Sequence, residues 1–109
     1  MFDTTPLTAA VNHFADRLRA APQSRLQRGA AAEALALARE LALWAQRVEE
    51  PGTAPRTMPD AGMFAAADQI TVAGRDLAVA LADSADGQRA GDMTRAVDLV
   101  RSAEARAGV

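Results

Sequence analysis

Alanine is the feature of this sequence that most restricts its fold. Twenty-eight of the 109 residues are alanine, tyrosine and cysteine are absent, and β-branched residues are few. Alanine has the highest helix propensity of any residue, whereas strands favour β-branched and aromatic side chains. The composition therefore predicts an all-α fold. A chain of this length supports one hydrophobic core, so we expect a single helical-bundle domain over residues 1–109.

Four segments of the sequence have the apolar spacing of an amphipathic helix, with alternating steps of three and four residues. The four predicted helices cover residues 6–21, 25–50, about 57–84, and the stretch that follows Asp92. The 51–59 loop holds three of the five prolines, and an Asp86-Gly87 turn precedes the last helix. Thr57 to Asp60 has the pattern of a capping box, which would start the third helix. The first two helices are either separate or one helix kinked at Pro22.

The predicted helix lengths are unequal, with about 26 residues in the second and third and about 15 in the first and fourth. We therefore expect an antiparallel, up-down-up-down four-helix bundle with two long central helices and two shorter flanking helices. The short helices would cover only one half of the long central hairpin. Gly74 lies on the apolar stripe of the third helix, where it would let a neighbour approach closely.

The uncovered half of that hairpin is the predicted interaction surface. Exposed apolar patches rich in aromatic residues and methionine are typical of protein interfaces. The six residues of this predicted surface are Leu41, Trp44, Val48, Met58, Met63 and Phe64. In the alternative that the sequence leaves open, the 51–59 loop and the N-terminal residues fold back over these residues, or the helix ends lie elsewhere, and the core is an ordinary closed one.

The charge of the chain disfavours nucleic acid and membrane surfaces as partners. The net charge is −2, so the chain lacks the strongly basic surface that attracts phosphate groups. All 12 basic residues are arginine, a bias typical of a high-GC bacterial genome. One local basic cluster surrounds the turn between the first two helices and is a candidate patch for an anion or an acidic partner. It consists of Arg17, Arg19, Arg25 and Arg28.

Residues that carry enzyme chemistry are sparse. Without cysteine there is no thiol nucleophile, thiolate metal site or disulfide. His13 is the only histidine, and the residues after it lack the Leu-Lys-Gly of histidine phosphotransfer domains, so it is interpreted as a boundary residue. Glu33 and Glu40 are a heptad apart, and no carboxylate pair has the spacing used by all-α Mg²⁺-dependent nucleotide hydrolases. We predict no catalytic residue, metal site or cofactor.

The sequence thus favours a non-enzymatic interaction or regulatory module that forms a homodimer or docks another protein. The first alternative is a sensor that binds a small apolar ligand at the same end of the bundle. An Mg²⁺-dependent nucleotide hydrolase is the third possibility. The N-terminus lacks the basic and apolar stretches of a signal peptide, and no apolar run approaches ~20 residues. We therefore expect a cytoplasmic location.

Overall fold

The computed structural model describes residues 2–84 and 89–109, and these residues form helices joined by loops, with no strand among them. Four main helices form a bundle, so the predicted all-α four-helix fold is confirmed. The predicted Asp86-Gly87 turn lies outside the described residues. In chain order, the elements are α1 (Thr5–Ala20), the short α2 (Gln23–Arg25), a π-helical segment (Leu26–Ala30), α3 (Ala31–Glu49), a 3₁₀ turn (Met63–Ala65), α4 (Ala66–Asp83) and α5 (Arg89–Ala107).

The start of α1 is fixed by an aspartate just before the helix. The Asp3 carboxylate accepts a hydrogen bond from the Thr5 backbone N–H at 2.9 Å, and Pro6 follows in the first turn, where no N–H is needed. The hydrogen bonds from Thr5 lower the pKa of Asp3, because they stabilise its charged form. At the other end, Ala21 and Pro22 are extended, so α1 and α2 are separate helices.

The four main helices are similar in length, with 16, 19, 18 and 19 residues in α1, α3, α4 and α5. The prediction of two long and two short helices is therefore wrong. Gly29 has φ of 144°, which ends the regular helix before α3. The predicted capping box does not form either; Asp60 instead accepts a hydrogen bond from the Gly62 N–H, and α4 begins later. The last helix begins earlier than expected, at Arg89.

The segment between α3 and α4 runs back along α3 instead of forming a short hairpin loop. The Gln46 side chain donates a hydrogen bond to the Arg56 carbonyl and accepts one from the Arg56 N–H, at 2.9 and 2.7 Å. Further along, Arg39 Nε donates to the Met58 carbonyl at 2.9 Å. As the connection advances, its partners on α3 therefore move toward the start of α3. It returns the chain to the end of the bundle where α3 began.

This returning connection makes α3 and α4 run in the same direction. Near the start of α3, Leu35 lines a groove with Met63 of the 3₁₀ turn and Ala66, the first residue of α4. Near the end of α3, Gln46 lines a second groove with Val79. Residue numbers thus increase together along both helices. The predicted up-down-up-down order is therefore wrong. The proline-containing connection runs the length of the bundle before α4 begins, so α4 points the same way as α3.

The contacts of α1 and α5 show that the four main helices run up, down, down and up in chain order. The helix α1 packs against α4 in the opposite direction, since Arg19 pairs with Asp68 while Val11 contacts Gly74. The helix α5 is antiparallel to α3 and runs parallel to α1. The contacts that define these two directions are Arg106 with Glu33, Arg95 with Trp44, His13 with Glu104, and Arg17 with Val109. Both α1 and α3 therefore pack against α4 and α5.

The core lies between these four helices and includes the predicted close approach at Gly74. The largest fully buried side chains are Phe14, Leu7, Leu37, Leu41, Ile70, Leu77, Leu81, Val11 and Val100. Gly74 is buried against Val11, and a Cβ atom at this position would lie 2.7 Å from Val11 Cγ2. Glycine at position 74 therefore allows α1 and α4 to pack closely.

Candidate functional site

The six residues of the predicted interaction surface differ widely in exposure. Leu41 is completely buried in the core, and Trp44 and Val48 are half-buried. The Trp44 ring packs under the Arg95 guanidinium, whose central carbon is 4.0 Å from the ring centroid. Met58 and Met63 are also half-buried, whereas Phe64 is 73% exposed. Phe64 is thus the member of the predicted surface that is most available to a partner.

These six residues do not lie on one continuous surface. Because α3 and α4 are parallel, Trp44 and Val48 near the end of α3 lie far from Met63 and Phe64 at the start of α4. The prediction that they meet depended on an antiparallel hairpin and is wrong. The returning connection lies along α3, where the Arg39 and Gln46 side chains bind its backbone.

A different apolar face is exposed on α4. Among the described residues, the large apolar side chains with the highest exposure are Phe64, Val72 and Val79, which are 73%, 54% and 51% exposed. Val72 and Val79 are seven residues apart, so they share one side of the helix. Phe64 precedes them in the 3₁₀ turn that leads into α4, and the helical register of α4, extended back by two residues, places it on the same side. The opposite side of α4, with Ile70 and Leu77, is buried.

Two charged residues lie among these apolar side chains. Asp68 and Arg75 are also seven residues apart, and both are exposed. Asp68 Oδ1 accepts a hydrogen bond from Arg19 Nη2 of α1 at 2.8 Å, although 77% of the Asp68 side chain stays accessible to solvent. The candidate site, called the outer α4 face below, consists of Phe64, Asp68, Val72, Arg75 and Val79.

Sequence reasoning missed Val72 and Val79 because they lie off the apolar stripe that it followed. That stripe places Ile70, Gly74 and Leu77 in the core, as the structure has them. A signal for the outer α4 face was nevertheless present, since two valines occur on the side of the helix that should be polar. Isolated exposed valines are common in soluble proteins. Only their alignment with Phe64 distinguishes them from that background.

The four arginines of the predicted anion patch do not converge on one site. Arg17 Nε donates to the Val109 carbonyl at 2.6 Å, and Arg25 Nη1 donates to the Gly108 carbonyl at 2.7 Å. These two contacts hold Gly108 and Val109 against α1 and α2. Arg19 contacts Asp16 and Asp68, while Arg28 lies exposed on the π-helical segment. Three of the four thus have partners within the chain.

His13 forms a link between the parallel helices α1 and α5. Its Nδ1 lies 2.8 Å from Glu104 Oε1, and the histidine side chain is 62% exposed. The pair borders a groove that is otherwise lined by Pro6, alanines, Val100 and Arg101. Within the described ranges, the histidine and acidic residues do not gather into any group of three that could hold a metal ion. The contact can stabilise the α1–α5 packing.

The chain matches no protein-family model, no curated protein and no solved structure. In residues 2–84 and 89–109, no helix has both the length and the hydropathy needed to cross a lipid bilayer.

Proposed function

We propose that this protein is a non-enzymatic helical interaction module that docks another protein chain on the outer α4 face. One observation carries the proposal: Phe64, Val72 and Val79 are each more than half exposed and follow one another at helical spacing along α4 and the 3₁₀ turn that leads into it. A row of apolar side chains at helical spacing on an exposed face is typical of a docking helix, whereas single scattered ones are not. The phenylalanine is also of a residue type enriched in interface cores.

The energy available from this face fits a weak or transient contact. Full burial of one valine or phenylalanine side chain is worth about 1.5–3 kcal/mol. Since the three side chains are already partly covered, docking would gain roughly 3–5 kcal/mol from them. Association itself costs at least about 4 kcal/mol in lost freedom of motion. The charged members of the face must therefore contribute, and their pairing should decide which partner binds.

Photo-crosslinking in the native host cells tests this function whatever the identity of the partner. The photoreactive residue p-benzoylphenylalanine would replace Phe64, whose ring it resembles. The matched control carries the same residue in place of Ala105, which is exposed on α5. Circular dichroism should confirm that both variants keep their helices.

We expect protein adducts from position 64 and few or none from position 105. A second substitution, Val72→Glu, should remove the adducts at position 64, because it places a charge in the centre of the face. Position 64 yielding no adducts, or the two positions yielding the same ones, would refute docking on the outer α4 face.

A further inference from the structure

We infer that the partner on the outer α4 face is a second copy of this chain, with the two α4 helices packed antiparallel about a two-fold axis. This inference rests on the proposed function, because it names the occupant of the same face. The observation behind it is a symmetry in the order of the five residues of that face. In chain order they are apolar, acidic, apolar, basic and apolar.

The symmetry is centred between Thr71 and Val72. Phe64 and Val79 are equally far from this point, and so are Asp68 and Arg75. When two identical helices pack antiparallel about a two-fold axis, each residue before the centre faces the residue equally far after it. Phe64 then packs on the partner's Val79, while Asp68 pairs with the partner's Arg75. The two Val72 side chains meet beside the axis.

Charge selects this arrangement over a parallel one. In a parallel two-fold pair each residue faces its own copy, so Asp68 would face Asp68 and Arg75 would face Arg75. Like charges at both positions oppose such a pair. The antiparallel pair instead forms two identical Asp–Arg contacts, one on each side of the axis. Asp76 meets no like charge, because the residue symmetric to it is the buried Ala67.

The charged side chains are placed for these contacts. Asp68 keeps most of its surface exposed while it binds Arg19, so one oxygen atom can still accept a hydrogen bond from a second arginine. Arg75 is exposed beside Val79. A contact from Phe64 to Val79 extends over roughly 22 Å of helix, at 1.5 Å per residue. A single helix pair of this length buries an area at the low end for specific complexes, which predicts a weak dimer.

Charge reversal tests both the partner and the register. Asp68→Arg places four arginines at the charged positions of a homodimer, and Arg75→Asp places four aspartates there. Each single variant should therefore dimerise at least about tenfold more weakly than the wild type in analytical ultracentrifugation. When the two variants are mixed, every Asp68→Arg chain can pair with an Arg75→Asp chain through two complementary contacts. The mixture should form heterodimers with affinity within a few-fold of the wild type.

Four outcomes separate this inference from the proposed function. Weakening of both single variants together with recovery of dimers in the mixture, at unchanged helix content, supports the antiparallel pair. Recovery alone would follow in a parallel pair too, but there the wild type already has like charges facing each other, so the single variants would not be weaker. A wild-type dimer whose charge variants do not recover on mixing overturns this pairing and leaves docking on the face in place. A wild type that stays monomeric and crosslinks at position 64 only to another protein overturns the second copy as partner. If position 64 gives no adduct at all, the proposed function fails as well.

Discussion

Replacing Gly74 with alanine tests the close packing of α1 on α4, which fixes the side of α4 that faces outward. In an exposed helix, a glycine-to-alanine change stabilises by about 1 kcal/mol. At position 74 the new methyl group would lie 2.7 Å from Val11 Cγ2 and 3.1 Å from Cγ1, closer than van der Waals contact allows. Val11 is 2% exposed, and its β-branched side chain has one strongly preferred rotamer in a helix.

The collision should outweigh the gain in helix propensity. An added methyl group in a well-packed core costs roughly 1–3 kcal/mol. We therefore expect Gly74→Ala to lower the free energy of unfolding by about 1 kcal/mol, with a range of roughly 0–2 kcal/mol. The matched control is Gly91→Ala in α5, where a Cβ atom would meet nothing within 4 Å. This control should gain up to about 1 kcal/mol of stability.

Urea unfolding followed by circular dichroism measures both variants. The difference between them should be about 1–3 kcal/mol, since the propensity term is common to both. A Val11→Ala change removes the two colliding methyl groups, so the double variant should lose less stability than the two single changes added together. Equal stabilisation by Gly74→Ala and Gly91→Ala would refute the close contact between α1 and α4.

Four further substitutions test separate parts of the structure. Gly29→Ala should destabilise by about 1–3 kcal/mol in urea unfolding, because φ of 144° is strained for alanine; a neutral effect would contradict the kink. Leu41→Ala should cost roughly 2–5 kcal/mol, whereas Phe64→Ala should change monomer stability by less than about 0.5 kcal/mol; similar losses would contradict their assigned burial. Because the pKa of Asp3 is lowered on folding, its contribution is present at neutral pH and disappears as the pH falls through that folded-state pKa. An NMR titration should find the Asp3 carboxyl below its ordinary pKa, and Asp3→Asn should lack this part of the acid dependence of stability.

The helices could be predicted from the sequence because their signals are local. Alanine content and apolar spacing indicated which segments are helical and which residues are buried, for example Ile70 and Leu77. The direction of α4 relative to α3 could not be read in this way. It depends on contacts between the connecting segment and α3, such as those of Gln46 with Arg56, which no spacing rule predicts.

The candidate site was predicted only in part for the same reason. Phe64 was identified from its residue type, but it was grouped with Trp44 and Val48 on the assumption of an antiparallel hairpin. Once α3 and α4 run in parallel, Phe64 belongs with Val72 and Val79 on α4 instead. The kink at Gly29 also makes α3 shorter than the predicted second helix. The predicted uncovered half of the hairpin depended on that greater length.

The molar mass of the protein in solution tests the dimer on the outer α4 face most directly. Light scattering over a concentration series should show a mass that rises from the 11.4 kDa of one chain toward twice that value. Val72→Glu should hold the mass at one chain, while Ala105→Glu, which adds the same charge on α5, should behave like the wild type. A wild type that stays at one chain throughout the series, or a dimer that Val72→Glu leaves intact, would contradict the account.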